Sequence, residues 1–400
     1  MREYFLRRED TMSRLLSRVL AAAALGIFMM GCQPADKKQP IKIGAFFALS
    51  GPGAPIGTPT KLVAEMVVDQ INKAGGIKGR PLELVIGDTE SDPAKAATIV
   101  KKFIHSDKVA AIIGPTATGE GMQVKKIVEE AGVPIFMTVG GDPPIMKETG
   151  PFTYIFKSPQ RSSTAVTRLF EYLKEKKLTK VALLTASDPF GKDGAVWLEK
   201  LGPQYGITYV AKESFGSKDT DMTPQLTKIK NANPDAIICW TIGPAGAIVA
   251  KNKAQLGLTI PLFQCHGQPG PEYIKLAGKA SEGDRMPSTK LMAAAQLPDT
   301  DPQKKVIQNF IQLYNDTYHL DKQFPINTHS GYAWDAITIV ADALRKAGTD
   351  PKALRAAIEG TRGYVGVSGV YNLTPEDHNG LAPDSMVIIQ VKDGKFELAK

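Results

Sequence analysis

Residues 41–88 read IKIGAFFALSGPGAPIGTPTKLVAEMVVDQINKAGGIKGRPLELVIGD and contain a whole strand–helix–strand unit. Ile41 to Leu49 is an apolar run with only Lys42 polar, the pattern of a strand buried on both faces. Thr58-Pro59 predicts a helix start, with threonine as the cap and proline in the first turn, where its missing N–H costs nothing. That helix runs to Lys73 and stops at Ala74-Gly75-Gly76, because glycine accepts the left-handed turn that ends helices. Leu82 to Gly87 is the next strand. Two buried strands joined by a helix form a right-handed crossover in a parallel sheet.

Outward from this unit the pattern repeats. Asp92-Pro93 opens a helix, Val109 to Ile113 is strand, Thr118 to Ala131 helix, and Pro134 to Val139 strand. After a break at Lys157 to Arg161 it restarts, with strands at Val181 to Ala186, Ile207 to Lys212, Ala236 to Trp240 and Pro261 to Gln264. Helices at Pro189 to Leu201, Met222 to Asn231 and Pro244 to Gln255 alternate with them. The tail adds helices at Lys304 to Tyr318, Thr328 to Lys346 and Pro351 to Glu359, and strands at Gly369 to Leu373 and Met386 to Lys392. The predicted fold class is α/β: two doubly wound parallel-sheet lobes, with a chain that crosses between them more than once.

Upstream, MSRLLSRVLAAAALGIFMMGC (residues 12–32) has Arg14 and Arg18 before an apolar run from Val19 to Met30. The run is too short for a permanent membrane span of about twenty residues and suits a secretory signal. Gly31-Cys32 at its end resembles the bacterial lipobox, which implies cleavage before Cys32 and a lipid on its sulfur. Residues 1–31 are then a signal peptide and 32–40 a lipidated linker, and the chain works outside the cytoplasm, tethered to a bacterial membrane. Cleavage removes five arginines and three acids, taking the net charge from +8 to +6. The remaining lysines, such as Lys125-Lys126 and Lys174, Lys176 and Lys177, sit at helical spacing. They read as solvated helix faces and not as a nucleic-acid surface. Cys239 and Cys265 are the two remaining thiols; export permits a disulfide, and strongly apolar surroundings equally suit two buried small residues.

In doubly wound sheets a ligand lies beyond the carboxyl ends of the strands. Six loops fall there: Ser50 to Gly57, Gly114 to Thr118, Val139 to Asp142, Ser187 to Gly191, Thr241 to Gly243 and Gln264 to Gly267. Gly114-Pro-Thr-Ala-Thr-Gly119 runs straight into a helix, with Thr116 or Thr118 as cap and N–H groups at the positive end of the dipole. That arrangement can seat a carboxylate, although any helix start also needs a cap. Gly140-Gly141 adds bare backbone beside it, and Phe190, Trp240 and His266 end strands or start helices in the other lobe. Gly51-Pro-Gly-Ala-Pro-Ile-Gly57 imitates a dinucleotide fingerprint, but its spacing is GxGxxxG, and Pro52 and Pro55 lack the N–H donors that phosphates want. No Ser/His/Asp trio, CxxC pair or HExxH stands in usable spacing. Neither a hydrolase nor a metal site is therefore indicated, and no cofactor is expected.

Ile71-Asn-Lys-Ala-Gly-Gly-Ile-Lys-Gly-Arg-Pro-Leu-Glu-Leu-Val85, followed by Asp88, Asp92-Pro93 and Ile112-Ile-Gly-Pro115, resembles the leucine/isoleucine/valine-binding family of periplasmic proteins. Asp188-Pro-Phe-Gly191, Ala277-Gly278 with Glu282-Gly283, and Ala333-Trp-Asp-Ala336 extend the likeness over nearly the whole mature chain. The resemblance implies the type I periplasmic binding protein fold: two lobes, 41–157 with 289–362 and 158–288 with 363–400, joined by three crossings. It also implies a binding protein without catalysis, a monomer that traps a small solute and hands it to an ABC permease.

Carried over by position, the resemblance puts the carboxylate-binding Ser/Thr on Thr118, a first-loop wall residue on Ile56 and a wall aromatic on Phe190. A Thr that helps bind the α-ammonium falls on Gly141, and the acid that neutralises it falls on His266. A buried ammonium without that acid costs several kcal/mol. The expected solute is accordingly a small carboxylate, aromatic or keto-acid-like, with no essential ammonium. Arg161 is a candidate extra cation, or a solvated surface arginine. A branched-chain amino-acid binder whose ammonium is met elsewhere, and a sensor lobe for a membrane receptor, are the alternatives.

Overall fold

The computed structural model describes residues 39–216 and 219–400. The signal peptide and Cys32 lie outside the described residues, as does the linker before Gln39. Among the described residues, no helix is long and apolar enough to cross a membrane.

The first sheet is wholly parallel, in the order β2-β1-β3-β4-β5, built from β1 (Ile41–Phe47), β2 (Leu82–Asp88), β3 (Ala111–Ile113), β4 (Ile135–Met137) and β5 (Ile155–Lys157). Helices α1 (Ala54–Lys73), α2 (Pro93–Lys102) and α3 (Thr118–Ala131) connect its strands. The chain then passes through α4 (Ser162–Glu175) into the second sheet. That sheet comprises β6 (Lys180–Ala186), β7 (Thr208–Phe215), β8 (Ala236–Trp240), β9 (Leu262–Gln264) and β10 (Arg285–Thr289). Helices α5 (Pro189–Leu201), α6 (Thr223–Ala232), α7 (Ala245–Gln255) and α8 (Pro271–Ala277) alternate with these strands. After α9 (Lys304–Gln312), α10 (Ser330–Ala347), α11 (Pro351–Glu359) and a small antiparallel pair, β11 (Tyr364–Val365) with β12 (Val370–Tyr371), the chain returns. β13 (Met386–Lys392) and β14 (Lys395–Leu398) complete the order β14-β13-β10-β9-β8-β6-β7, pairing antiparallel where β13 meets β10 and β14.

Alternate residues of one strand feed opposite cores, which is why the strands read as unbroken apolar runs. Ile43, Ala45 and Phe47 of β1 face a core shared with α1 and α10, whereas Phe46 faces α2 and α3. In the second sheet Ile237 and Cys239 face one core, and Ile238 and Trp240 the other.

Three Asp-Pro pairs start helices as their chemistry requires. The carboxylates of Asp92, Asp188 and Asp350 accept from Ala94 N, Gly191 N and Ala353 N at 2.7–2.9 Å, and each proline takes the first helical position. Helix α1 departs from the expected start at Thr58: it begins at Ala54 behind Gly53 and holds Pro59 inside it. Pro59 cannot donate to the Pro55 carbonyl, and Asn327 Nδ2 occupies that carbonyl at 3.4 Å. The first turn of α1 needs glycine where it meets the end of β1, because a Cβ on Gly57 would lie 2.1 Å from Ala48 O. Gly191 stands 2.0 Å by the same measure from Ala186 O at the equivalent turn of the second sheet.

The chain passes between the sheets after β5, after β10 and before β13. Val367, Tyr371, Leu373 and Leu381 pack into the first core. The expected boundary at 363 assigned these residues to the second lobe, but the return falls between Leu381 and Met386. Helix α4 and strands β5, β10 and β14 were not among the expected elements. Polar bonds bind the crossings sideways: Asn379 Nδ2 donates to Lys157 O at 3.0 Å and Pro159 O at 2.7 Å, and Tyr371 OH donates to Ser158 O at 2.7 Å. Gln160 Nε2 reaches Ser368 O at 2.6 Å.

Candidate functional site

The carboxyl ends of the two sheets face each other across a narrow cavity. Ile56 from α1, Thr116 and Thr118 before and at the start of α3, and Thr138 and Gly140 after β4 form the wall of the first half. The opposite wall is Phe190 of α5, Ile242 after β8, and His266 and Gly267 after β9, with His329 and Tyr332 closing the side at the start of α10. Contacts tie the halves together: Thr328 N donates to Pro269 O at 3.0 Å, and His329 Nε2 lies 3.2 Å from Gly267 O.

The start of α3 differs from the expected bare anion seat. Its cap residue is Ala117, so neither Thr116 nor Thr118 caps it. The Glu120 carboxyl group folds back to accept from Ala117 N at 2.7 Å and from the Thr89 hydroxyl at 2.5 Å. Burial raises the Glu120 carboxyl above the usual carboxylate range. The threonines serve differently. Thr116 Oγ1 accepts from Ala48 N at 2.9 Å, and Thr118 Oγ1 accepts from Gly141 N at 3.1 Å. Each hydroxyl has thereby used an acceptor site, which leaves its proton to donate into the cavity. Thr138 does the reverse, donating to Pro115 O at 2.6 Å and keeping its lone pairs.

Opposite them stands an aromatic cluster. The His266 ring centroid lies 5.5 Å from Phe190 and 5.4 Å from Trp240. Burial, with the Lys157 charge second, holds the His266 imidazole down to about 3, so the ring is neutral at ordinary pH. Neither ring nitrogen has a well-formed hydrogen bond among the described residues. A neutral imidazole in this position offers one N–H and one lone pair to a solute. His329 is likewise held neutral by burial, down to about 4. No aspartate or glutamate lines the cavity among the described residues.

Of the residues singled out from sequence, Ile56, Thr116, Thr118, Gly140, Phe190 and His266 meet on this wall. Gly141 lies a layer back, against Thr118. Trp240 is wholly buried behind Phe190 and His266. Arg161 is not part of the wall: it pairs with Asp377 at 2.6 Å beside the crossings, neither a site cation nor freely solvated. Sequence reasoning missed Thr138, Ile242, Gly267, His329 and Tyr332. Ile242 and Gly267 sat inside loops already singled out, whereas His329 and Tyr332 carried no local signal beyond the start of a tail helix. Cys239 and Cys265 are free and buried, which decides against the disulfide. No cluster of metal-ligating side chains occurs among the described residues.

A family model described as periplasmic binding protein matches residues 40–395. The chain belongs to the periplasmic binding protein family. Within reach of it, the leucine-, isoleucine-, valine-, threonine- and alanine-binding protein of Pseudomonas aeruginosa is 27% identical over 345 residues, covering 86% of this chain and 87% of that one. An extracellular ligand-binding receptor from Rhodopseudomonas palustris superposes with a TM-score of 0.82 at 27% identity, covering 91% of this chain and 100% of that one. The branched-chain amino acid transporter substrate binding protein LivJ of Streptococcus pneumoniae, in complex with isoleucine, gives 0.76 at 25% identity, covering 90% and 99%. Periplasmic binding proteins of this type I fold bind solutes and are not enzymes, and this chain is one of them.

Proposed function

We propose that this protein is the lipid-anchored receptor of an ABC importer and closes its lobes on a small carboxylate that lacks an ammonium, of the aromatic or oxo-acid class. One observation carries the reading: the cavity offers threonine hydroxyls and a neutral imidazole, but no acid on its wall. The Thr116 and Thr118 protons suit a carboxylate, and His266 suits a carbonyl or ring further along the solute. An α-ammonium buried there would lack a counter-charge, at a cost of several kcal/mol. The Cys32 anchor rests on the lipobox-like sequence, and the permease partnership on family membership.

Calorimetric titration with matched pairs tests this: leucine against 4-methyl-2-oxopentanoate, and phenylalanine against phenylpyruvate. The oxo acids are expected to bind at least about 100-fold tighter, since 1.4 kcal/mol is a factor of ten. Tighter binding of either amino acid overturns the reading. A second reading, binding of a branched-chain amino acid, is favoured by the relatives' names and by the isoleucine complex. It requires carbonyl oxygens to receive the ammonium in place of an acid.

A further inference from the structure

Behind Gly141 the two halves of the molecule share an acidic contact that solute recognition, as described so far, does not use. Asp193, one turn into α5 in the second half, accepts a hydrogen bond from Asp142 N in the first half at 3.0 Å. The Asp142 carboxylate meanwhile receives Ser162 N at 2.7 Å, and Ser163 N and Oγ at 3.3 and 2.8 Å, at the start of α4. The loop Gly140–Asp142 is thus held at one end by Asp193. At the other end its Gly141 N–H is spent on Thr118 Oγ1. A Cβ on Gly141 would lie 2.7 Å from Thr118 Oγ1 and 3.3 Å from Asp193 Oδ2, so those two oxygens are at most 6.0 Å apart.

We infer that Asp193 is a positioning residue for solute recognition. Reaching across from the second half, its carboxyl group fixes the Gly140–Asp142 backbone, and through it turns the Thr118 hydroxyl proton toward the solute. The carboxylate seat is then complete only when the halves are together, so the grip on the anion and the approach of the lobes are one event. The inference rests on the carboxylate reading for its ligand, but the Asp193–Asp142 contact exists without one.

Asp193 also stands where its own charge matters. Burial, and next the charge of Asp142, push its carboxyl group up to about 7. The charged groups facing it are Asp142 from the loop after β4 and Lys157 from β5, and Ser162 of α4 also faces it. The Lys157 ammonium, buried and donating to Pro159 O and Gln160 O, is lowered to about 7 by burial. A protonated Asp193 still accepts from Asp142 N through its carbonyl oxygen and no longer repels a nearby anion. A carboxylate bonded to Thr118 Oγ1 sits within about 9 Å of Asp193, where two like charges at an effective dielectric constant of 20 account for about a twentyfold loss of affinity when Asp193 is fully ionised. Affinity for a carboxylate therefore rises as pH falls through neutrality. Lys157 adds to the same trend in parent and variants alike, so their ratio isolates Asp193.

The test compares the full chain with Asp193→Asn and Asp193→Ala, titrated with benzoate, 4-methyl-2-oxopentanoate and uncharged benzamide at pH 5.5 and 8. D193N keeps an acceptor oxygen without the charge. It is expected to match the parent at pH 5.5 and to bind either acid about tenfold tighter at pH 8. D193A loses the acceptor as well as the charge and is expected to bind about tenfold more weakly than D193N at both pH values. Equal affinities of parent and D193N at pH 8, or a D193A that binds like D193N, overturn the inference. A parent that takes benzamide as readily as benzoate sinks the carboxylate reading instead. In that case the Asp142 amide resonance decides without a solute: a titration near neutrality that vanishes in D193N supports the contact, and a flat parent profile refutes it.

Discussion

Replacing Gly140 by alanine separates the meeting of the two halves from their folding. Gly140 belongs to the first half, and its backbone lies outside the left-handed region, so a methyl group there costs no local strain. The added Cβ would stand 2.9 Å from Phe190 Cε2 and 3.1 Å from His266 Nε2, both belonging to the second half. The first distance is shorter than real Cβ contacts and the second tighter than most of them, and Trp240 packs behind both rings, against their retreat. Overpacking of this kind costs about 1–3 kcal/mol. The clash vanishes when the halves part, so the cost falls on the closed arrangement alone and weakens solute binding about 5- to 150-fold. Gly119→Ala is the control, since its Cβ would meet Pro189 of the second half at an ordinary 3.5 Å. Calorimetry gives the affinities, small-angle scattering the separation of the lobes, and urea titration the stability. G140A is expected to bind weakly and scatter as a more open particle with an unchanged urea midpoint, while G119A resembles the parent. If G140A binds normally, or loses binding only because its urea midpoint collapses, the facing of Gly140 by Phe190 and His266 is refuted.

Two further outcomes follow from buried groups. Asp335 in α10 accepts from Val367 N at 2.7 Å, Ser368 N at 2.8 Å and Tyr371 OH at 3.1 Å, so Asp335→Ala strands two buried N–H groups and should cost about 2–5 kcal/mol in urea unfolding. Burial also lifts this carboxyl to about 6 from 3.8. The folded chain therefore holds its proton more tightly than the unfolded chain. This group's effect is a loss of about 3 kcal/mol of stability as pH rises from about 4 to 6, with no further change above. Asp335→Asn should remove that slope relative to the parent, and an unchanged slope counts against the assignment. Burial pushes the Cys265 thiol up to about 12 and raises the Cys239 thiol well above its ordinary value. Peptide mapping after a thiol reagent should find both unlabelled in the native protein and labelled in urea. Rapid native labelling of either would contradict their burial.

Much of the site was readable in the sequence because its determinants are local. A strand followed by Asp-Pro or a glycine-rich turn marks a carboxyl edge, and six of the named residues stand on such edges. What escaped depends on partners far away in the chain. Arg161 looks unattached until Asp377, 216 positions later, is folded beside it. Trp240 ends a strand, but it is wholly buried behind Phe190 and His266, which stand between it and the cavity. Thr116 and Thr118 resemble helix caps, yet Ala117 holds the cap position between them, and Glu120, three residues on, accepts from its backbone N–H. Strand β10 carries Pro287, which reads as a loop when its antiparallel partner β13 lies a hundred residues ahead. His329 and Tyr332 reach the wall only because α10 crosses behind α1, a packing no local pattern announces.

The order of the second sheet has a bearing on how the molecule is made. β13, which lies between β10 and β14, comes from residues 386–392, long after β6 to β10 have emerged. During synthesis from the amino end, β10 therefore waits with one hydrogen-bonding flank uncovered, while the first sheet already has all five strands. A nascent chain at that stage has one sheet with all its strands and one with an adhesive edge. Chaperones that shield bare strand edges should engage it between the appearance of Thr289 and that of Lys392.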